Sequence, residues 1–444
     1  MARAVEPKIL YEEDPTLLTS TVQVVVLAGT ADDPPGKNGL ANFLSELTLR
    51  GTKKKGRAKF QSEIERMGAS LSVRTSPGAT VYVGRVIKEN TIPFLKLLSE
   101  ALLEPAFTAP EFEDLKREIL AEISHLKNNN GRLSGLAVRR TLYAGTALER
   151  PTEGSLKSVK SLKRDDVLRA YNNHFNRGSF VFGVASPLKQ EEVAGLLTQT
   201  WLKFPDGLRR SRRSFPVQAP KKPTLVVVHK PKTSTGAIMF GQAGITAQDE
   251  ARYALSVTNF AFGGEPLVSR LFRVIRSELG WTYAVGSTYH ATGALTDQQG
   301  FYIISSTPAM EYSAKTILKI LAMWKEFLKS GLKDDELRVA RESLVNSYPF
   351  EFDSAEKRLW QRMHSHLYGV PVLSPEEYAG KIESLSKTEL TKIVAEKQLA
   401  DGWLISIVAD REIFEKQLAD EQKDVPPNER LAIARQLVPD DLIQ

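Results

Sequence analysis

The 444-residue chain contains no cysteine. This absence excludes zinc fingers, iron–sulfur clusters, catalytic cysteines and disulfide frameworks, because each of them needs a thiol or thiolate. Histidine is also scarce, and a metal site would have to combine a few of the six with carboxylates. The closest pair cannot face one ion together, because residues two apart on a helix point about 200° apart. The six are His125, His174, His229, His290, His364 and His366, of which the last two are that pair.

Three motifs that carry common chemistries are missing as well. The sequence has no GxxxxGK[S/T] phosphate loop, no GxGxxG dinucleotide turn and no GxSxG nucleophile elbow. It has no apolar run as long as the ~18 residues of a membrane span, and no apolar secretory segment near its N-terminus. Ala2-Arg3-Ala4 does match the small-x-small pattern before a signal cleavage site. We therefore expect a periplasmic location if the chain is a mature form, and a cytoplasmic one otherwise.

The charge balance gives little guidance about partners. Sixty Lys and Arg face 53 Asp and Glu, so the formal net charge is +7, which weakly favours anionic partners. The two basic clusters, at Lys53–Lys55 and Arg209–Arg213, lack interleaved aromatic residues. Such clusters are typical of solvated loops rather than of nucleic-acid surfaces. We expect neither a nucleic-acid partner nor a membrane span.

The organisation of the chain indicates an internal duplication. A Pro- and Arg-rich stretch near the middle predicts a domain at 1–207, a linker at 208–223 and a second domain at 224–444. Residues 65–73 align with 277–285, and 110–117 align with 335–342, so the repeat is about 210–225 residues long. Strands are grouped apart from helices, which predicts an α+β fold. We expect two homologous domains, each a mainly antiparallel sheet with helices packed on one face.

The segment GLANFLSELTLRGT at 39–52 carries the most specific pattern. It resembles the pitrilysin (insulinase-like) family of zinc peptidases, and within it the processing-peptidase group, whose helix reads G-L-A-H-x-x-E-H-x-x-x-x-G-T. In that motif two histidines on one helical face bind zinc, and the glutamate takes a proton from the metal-bound water. The flanking residues match this pattern: Gly39, Leu40, Ala41, Gly51 and Thr52.

The chemical positions of the motif do not match. Asn42 stands at the first histidine, Ser45 at the glutamate and Glu46 at the second histidine. Glu122, 76 residues after Glu46, falls where the resemblance places the third ligand. Asparagine is a poor zinc ligand and serine cannot act as the base, so we expect no zinc and no hydrolysis in this chain. A hard cation such as Mg²⁺ or Ca²⁺ on Glu46 and Glu122 is the alternative to an empty polar relic.

The resemblance is better preserved between residues 259 and 289. It implies that Arg276 and Tyr283 form the pair that binds the substrate and stabilises the transition state, since a guanidinium and a phenol can both donate to peptide oxygens. The structural alternative is a solvated helical arginine and a half-buried strand tyrosine. The other residues that match the family pattern here are Gly263, Gly264, Ser269, Arg270, Leu271, Phe272 and Gly280.

These observations predict a non-catalytic, substrate-binding subunit of a heterodimeric zinc peptidase that cleaves unfolded or short peptides. The resemblance implies a homologous partner that has an intact H-x-x-E-H motif and carries the zinc. The alternative is a catalytically inert scaffold or interaction protein of the same fold, like the core subunits of the respiratory cytochrome complex. A self-sufficient hydrolase is the weakest hypothesis, because the sequence has no recognisable nucleophile–base arrangement.

Overall fold

A computed structural model of the chain describes residues 6–207, 213–293 and 295–444. These residues form two compact units. Unit 1 consists of the chain up to residue 124, with residues 150–213 and 350–372; unit 2 consists of residues 125–149, 214–349 and 373–444. Among the helices in the described ranges, none has the length and apolar character that crossing a membrane requires.

Unit 1 is built around a sheet in the order β1-β7-β2-β6-β5, in which only the β1–β7 pair is parallel. The strands are β1 Lys8–Glu13, β2 Thr19–Val26, β5 Ser70–Thr75, β6 Thr80–Ile87 and β7 Phe180–Ser186, with a separate small pair, β3 Gly51–Thr52 and β4 Lys55–Gly56. The helices are α1 Leu40–Thr48, α2 Arg57–Arg66, α3 Thr91–Leu103, α4 Ala109–His125, α6 Leu156–Ser161, α7 Arg164–His174, α8 Gln190–Leu202 and α12 Ala355–Tyr368.

Unit 2 repeats this sheet and adds one strand. Its order is β10-β11-β9-β12-β8-β13. The strands are β8 Thr224–His229, β9 Ala237–Ala243, β10 Thr282–Thr292, β11 Gln299–Pro308, β12 Leu404–Ala409 and β13 Ile433–Leu437. The helices are α5 Asn130–Leu142, α9 Ala251–Asn259, α10 Ser313–Ser330, α11 Asp334–Ser347, α13 Pro375–Glu383, α14 Lys387–Lys397, α15 Arg411–Glu421 and α16 Pro439–Ile443.

Strand by strand, β8, β9, β10, β11 and β12 occupy the places that β1, β2, β5, β6 and β7 occupy in unit 1. The pairings between equivalent strands also keep the same direction: β8–β12 is parallel like β1–β7, and the other equivalent pairs are antiparallel. The predicted α+β class and the internal duplication are therefore confirmed. Because β10 lies at the end of the order, its outer edge has no strand partner among the described residues.

Each sheet is also covered by one helix that comes from the other half of the sequence. In unit 1, Leu359 and Met363 of α12 pack on Val181 of β7. In unit 2, Val138 of α5 packs on Val228 and Ala237. Glycine makes this approach possible, because a Cβ atom at Gly183 of β7 would lie 2.8 Å from Met363 Sδ and one at Gly241 of β9 would lie 2.5 Å from Val138 Cγ1.

This arrangement adds a feature to the expected layers. The main group of helices packs on one face of each sheet, as in the large core of unit 2 that joins β8, β9 and β12 to α9 and α10. The opposite face carries the single helix from the other half of the sequence. The boundaries 1–207 and 224–444 stay a prediction about the duplicated sequence, whereas the compact units follow a discontinuous path. Of the predicted linker, residues 208–212 lie outside the described residues.

Candidate functional site

The degenerate motif lies on α1, whose first turn is held by a buried aspartate. Asp33 Oδ2 accepts a hydrogen bond from the main-chain N–H of Gly39 (2.7 Å), and Oδ1 accepts one from that of Ala41 (2.8 Å). These bonds satisfy N–H groups that a helix N-terminus leaves without intrahelical partners. Burial raises the pKa of Asp33 to about 7 even though both backbone hydrogen bonds lower it. Asp33 therefore fixes the start of the helix that carries Asn42, Ser45 and Glu46.

The three motif side chains bond to one another and to the neighbouring sheet. Asn42 Nδ2 donates to Glu46 Oε1 at 3.1 Å, so these two side chains share one face of the helix. Ser45 is buried and its hydroxyl donates to the carbonyl of Asn42 at 2.8 Å. It also lies 2.9 Å from the hydroxyl of Thr75 on β5. The hydroxyl of Ser45 therefore links α1 to β5 through a hydrogen bond with Thr75.

Glu122 lies on α4, and its negative charge affects the pKa of Glu46. Burial, and then the negative charge of Glu122, raise the pKa of Glu46 above its usual value, against the hydrogen bond from Asn42. One helical turn before Glu122, Glu118 forms an ion pair with Arg50, which also lies 3.6 Å from Glu111. The structure therefore brings Glu46 and Glu122 into electrostatic contact on neighbouring helices.

This donor set does not fit zinc. The positions offer an amide, a hydroxyl and two carboxylates, whereas protein zinc sites are built mainly from histidine nitrogen and cysteine sulfur, with carboxylates as additional ligands. The amide of Asn42 is already engaged with Glu46. Within the ranges described above, no group of three or more His, Asp or Glu side chains could hold a metal ion.

Two of the three lysines in the basic cluster next to this motif form ion pairs. Lys54 Nζ lies 2.8 Å from Glu104, and Lys55 Nζ lies 2.7 Å from Glu100. From the second basic cluster, Arg213 pairs with Asp32 at 3.1 Å, whereas Arg209–Arg212 lie outside the described residues. These ion pairs offset the positive charges of Lys54, Lys55 and Arg213.

In unit 2, two π-helical turns lie between β9 and β10. The first covers Phe260–Gly264 and follows α9 directly; the second covers Phe272–Glu278 and carries Arg276. Single π-turns are frequent at functional sites, because they alter the direction of the side chains that follow. The loop between the two turns contains Leu267, which has a backbone φ of +76° and is 73% exposed. A positive φ is strained for a residue with a Cβ atom.

Arg276 lies between two aromatic rings. Its guanidinium carbon is 4.7 Å from the ring centroid of Phe272 and 4.7 Å from that of Tyr283. Each separation is within cation–π range. No hydrogen bond or ion pair engages the guanidinium N–H groups within the described part of the chain. The two rings thus hold the cation while its donors stay available for a ligand.

A β-bulge directs Tyr283 outward. Between Thr282 and Val285 the register of β10 with β11 slips by one residue, since these two residues face Pro308 and Ser306. The hydroxyl of Thr282 donates to the carbonyl of Ala284 at 2.8 Å and supports the bulge. Bulges bend a strand and redirect a side chain. The result is that 79% of Tyr283 is exposed although it belongs to a strand.

Arg276 and Tyr283 line a groove of about 570 Å³ that lies wholly within unit 2. Its walls come from β9, β10 and β11, from the start of α5 and from the second π-turn. Among these residues Arg276 is the only one with a charged side chain. The lining residues are Gly131, Ser134, Ala237, Ile238, Met239, Pro266, Phe272, Arg276, Tyr283, Ala284, Val285, Gly286, Ser305, Ser306 and Thr307.

The structure therefore places Arg276 close to Tyr283, and Asn42 close to Ser45 and Glu46 with Glu122 near by. The roles predicted for these residues stay predictions. Sequence reasoning did not assign a role to Phe272, although its position four residues before Arg276 is the spacing of neighbours on a helix. It also missed Ile238 and Met239, which reach the groove from β9. No local signal marks them, because they are ordinary apolar strand residues.

Comparison with known proteins gives two family matches along the chain. Residues 8–155 match the family described as Insulinase (Peptidase family M16), and residues 161–344 match the one described as Peptidase M16 inactive domain. The "Non-peptidase homolog YmxG" of Helicobacter pylori is 23% identical over 406 residues, which are 91% of this chain and 92% of the relative. The human "Mitochondrial-processing peptidase subunit beta" is 28% identical over 210 residues, 47% of this chain and 42% of the relative.

Among solved structures, the fold is similar to that of a "peptidase M16 inactive domain" from Pseudomonas fluorescens. The TM-score is 0.81 at 22% sequence identity, and the match covers 92% of this chain and 97% of the other. A "protease from Helicobacter pylori" matches with a TM-score of 0.80 at 14% identity over 92% of this chain. At these identities the likeness concerns the fold.

Proposed function

We propose, since this chain belongs to the insulinase family of peptidases (peptidase family M16), that it is the non-catalytic, substrate-binding subunit of a heterodimeric zinc-dependent peptidase. It supplies Arg276 and Tyr283 to the zinc site of a homologous partner, and the substrates are unfolded or short peptides. Two features of the chain carry this proposal. Unit 1 has lost the residues of the metal motif, and unit 2 has an arginine, stacked on aromatic rings, whose N–H groups can bind a ligand.

Hydrolysis by this chain alone is disfavoured by the residues of its own motif. Asn42, Ser45 and Glu46 replace two nitrogen ligands and the general base, and the Ser45 hydroxyl is committed to the Asn42 carbonyl. The partner would therefore have to hold the zinc, which would supply Lewis-acid activation of the substrate carbonyl and of water. The present chain contributes binding and orientation.

Arg276 and Tyr283 are suited to bind peptide oxygens. An amide carbonyl accepts hydrogen bonds, and its negative charge grows as the nucleophile attacks. Stacking between Phe272 and Tyr283 orients the guanidinium before substrate arrives, so less side-chain freedom is lost on binding. Removal of one such donor typically costs on the order of 3 kcal/mol in transition-state stabilisation.

An extended peptide can bind beside this pair as an added strand. Such binding uses main-chain hydrogen bonds and is therefore tolerant of sequence. The outer edge of β10 is unpaired in the described residues and begins next to Tyr283. Unfolded peptides have free main-chain groups to offer, whereas folded proteins do not, which is the physical reason for the proposed substrate class.

The test is peptide cleavage by this chain, by a homologous partner with an intact H-x-x-E-H motif, and by the mixture. We expect activity only in the mixture, and a loss of about a hundredfold in Arg276→Ala, with a smaller loss in Tyr283→Phe. Arg273→Ala is the matched control, because Arg273 lies on the same π-turn and forms a long, exposed pair with Glu278 (3.8 Å). Equal activity of the partner with and without this chain would favour the inert scaffold instead.

A further inference from the structure

Within the residues that the structure describes, no ion pair compensates the charge of Arg276 in the groove of unit 2. Arg276 is its only charged residue, and its walls otherwise consist of apolar, glycine, hydroxyl-bearing and aromatic residues. Arg273, three residues earlier on the same π-turn, pairs with Glu278 instead. A half-buried guanidinium without a counter-ion is costly, because part of its hydration is lost and nothing replaces it. An anionic group would compensate this charge.

A neutral carbonyl satisfies this site only in part. Charge-assisted hydrogen bonds are about twice as strong as neutral ones, and a carboxylate accepts two parallel N–H bonds from one guanidinium. The rings of Phe272 and Tyr283 cover the guanidinium within cation–π distance, and its N–H donors point in the plane of the group. This geometry suits a planar, bidentate acceptor, and because a carboxylate uses two of the five guanidinium N–H groups, the others can still bind a carbonyl oxygen.

The position of the groove indicates how the acceptor arrives. The groove crosses β9, β10 and β11. Because β9 and β11 have strand partners on both sides, their main-chain groups are used within the sheet. A peptide main chain can pair only at the outer edge of β10, and a strand added there directs alternate side chains to one face of the sheet. A strand added at this edge can therefore place one of its side chains in the groove while its main chain runs beside Tyr283.

We infer that the groove selects peptides with an aspartate or glutamate side chain, whose carboxylate binds Arg276 while the flanking residues extend along β10. This inference rests on the proposed function for the role of the peptide, and it adds a specificity. The overall charge of +7 is consistent with an acidic ligand. The aliphatic stem of the acidic residue would pack on Phe272 and Met239, which line the same groove.

The test uses three fluorescent peptides of otherwise identical unfolded sequence. One has a central glutamate and an amidated C-terminus, one has glutamine and an amidated C-terminus, and one has glutamine and a free C-terminal carboxylate. Binding to the full chain is measured by fluorescence anisotropy at low and at physiological ionic strength. We expect the glutamate peptide to bind about tenfold more tightly than both glutamine peptides, with a smaller difference at higher salt.

Variants assign the effect to one side chain. Arg276→Gln should abolish the preference for glutamate, and Arg273→Gln should leave it unchanged. Equal binding of the glutamate and amidated glutamine peptides would overturn the inference. The inference would also be overturned if the Arg276→Gln variant kept the preference for glutamate, or if only the peptide with a free C-terminal carboxylate bound more tightly. The cleavage assay separates the two proposals. If this chain accelerates cleavage of both amidated peptides by the partner to the same extent, the subunit role is supported and the specificity for glutamate is rejected. If it accelerates cleavage of neither peptide, the subunit role is rejected and the binding result is unaffected.

Discussion

Arg270 and Glu336 form a bidentate ion pair in unit 2, with Nε of Arg270 2.7 Å from Oε1 of Glu336 and Nη2 2.6 Å from Oε2. The pair is largely buried, since 12% and 8% of the two side chains are exposed. Arg270 Nη2 also donates to the carbonyl of Gly331 at 2.6 Å. Two residues after Arg270 the second π-turn begins, so this pair ties the helix that carries Arg276 to the start of α11.

Glu336→Gln should destabilise unit 2 by about 3 kcal/mol, because it leaves the charge of Arg270 buried without a partner. Urea denaturation of wild type and variant measures the loss. Glu342→Gln is the matched control on the same helix, since Glu342 pairs with Arg338 at the exposed surface (2.9 Å). A change below ~0.5 kcal/mol is expected there. Equal effects of the two substitutions would contradict the structural role of the Arg270–Glu336 pair.

The same pair predicts a pH dependence. Burial raises the pKa of Glu336, but hydrogen bonds from Arg270 and from the Lys333 main chain outweigh it, so the pKa lies below the usual 4.5. The unfolded chain therefore binds this proton at a higher pH than the folded chain. Stability from the pair is full above about pH 4.5 and is lost as the pH falls through the lowered pKa. The Glu336→Gln variant should lack this acid-side loss in urea titrations at several pH values.

The raised pKa of Asp33 predicts the opposite dependence of stability on pH. Its pKa is raised from 3.8 to about 7, so between these values the folded chain keeps a proton that the unfolded chain has released. Stability should therefore fall as the pH rises through this window, by up to about 1.4 kcal/mol per pH unit. Asp33→Asn removes this contribution, and Asp165→Asn, at an exposed position in the first turn of α7, is the control. An unchanged slope in Asp33→Asn would contradict the protonated state of Asp33.

Zinc binding should return when the motif is restored. A variant that combines Asn42→His, Ser45→Glu and Glu46→His places two nitrogen ligands on adjacent turns of α1, facing Glu122 on α4. We expect stoichiometric zinc by metal analysis in this variant, and weaker binding when Glu122→Gln is added. The wild-type chain should hold no stoichiometric zinc, and tight zinc there would contradict the account of the donor set.

Leu267→Gly should raise stability, or leave it unchanged, despite removing a large side chain. Leucine at a φ of +76° carries backbone strain of roughly 1–2 kcal/mol, whereas the flexibility of glycine costs roughly 0.5–1 kcal/mol. Val268→Gly is the control, because Val268 is also exposed but does not have a positive φ. It should lose the glycine cost alone. The reverse order of the two unfolding midpoints would show that the loop is not strained.

Much of the fold follows from local sequence signals. The alternation of more and less exposed residues along β5 and β6 has the two-residue period of strands. The strands β2 and β8 are instead marked by their high content of valine. The alignment of 65–73 with 277–285 places helix, turn and strand in register in both halves. The site could be predicted only in part: Arg276 and Tyr283 were identified, but the contribution of Ile238 and Met239 was not, because they are distant in sequence.

The sequence by itself determined which ligand atoms the motif offers, because metal coordination depends on their identity and Asn42, Ser45 and Glu46 are read directly from it. It also determined the duplication, since each half repeats the same local patterns. Only the tertiary structure decided that α5 and α12 pack with sheets from the opposite halves of the sequence. It likewise decided that a bulge turns Tyr283 onto Arg276. These features depend on contacts between distant segments, which local propensity does not specify.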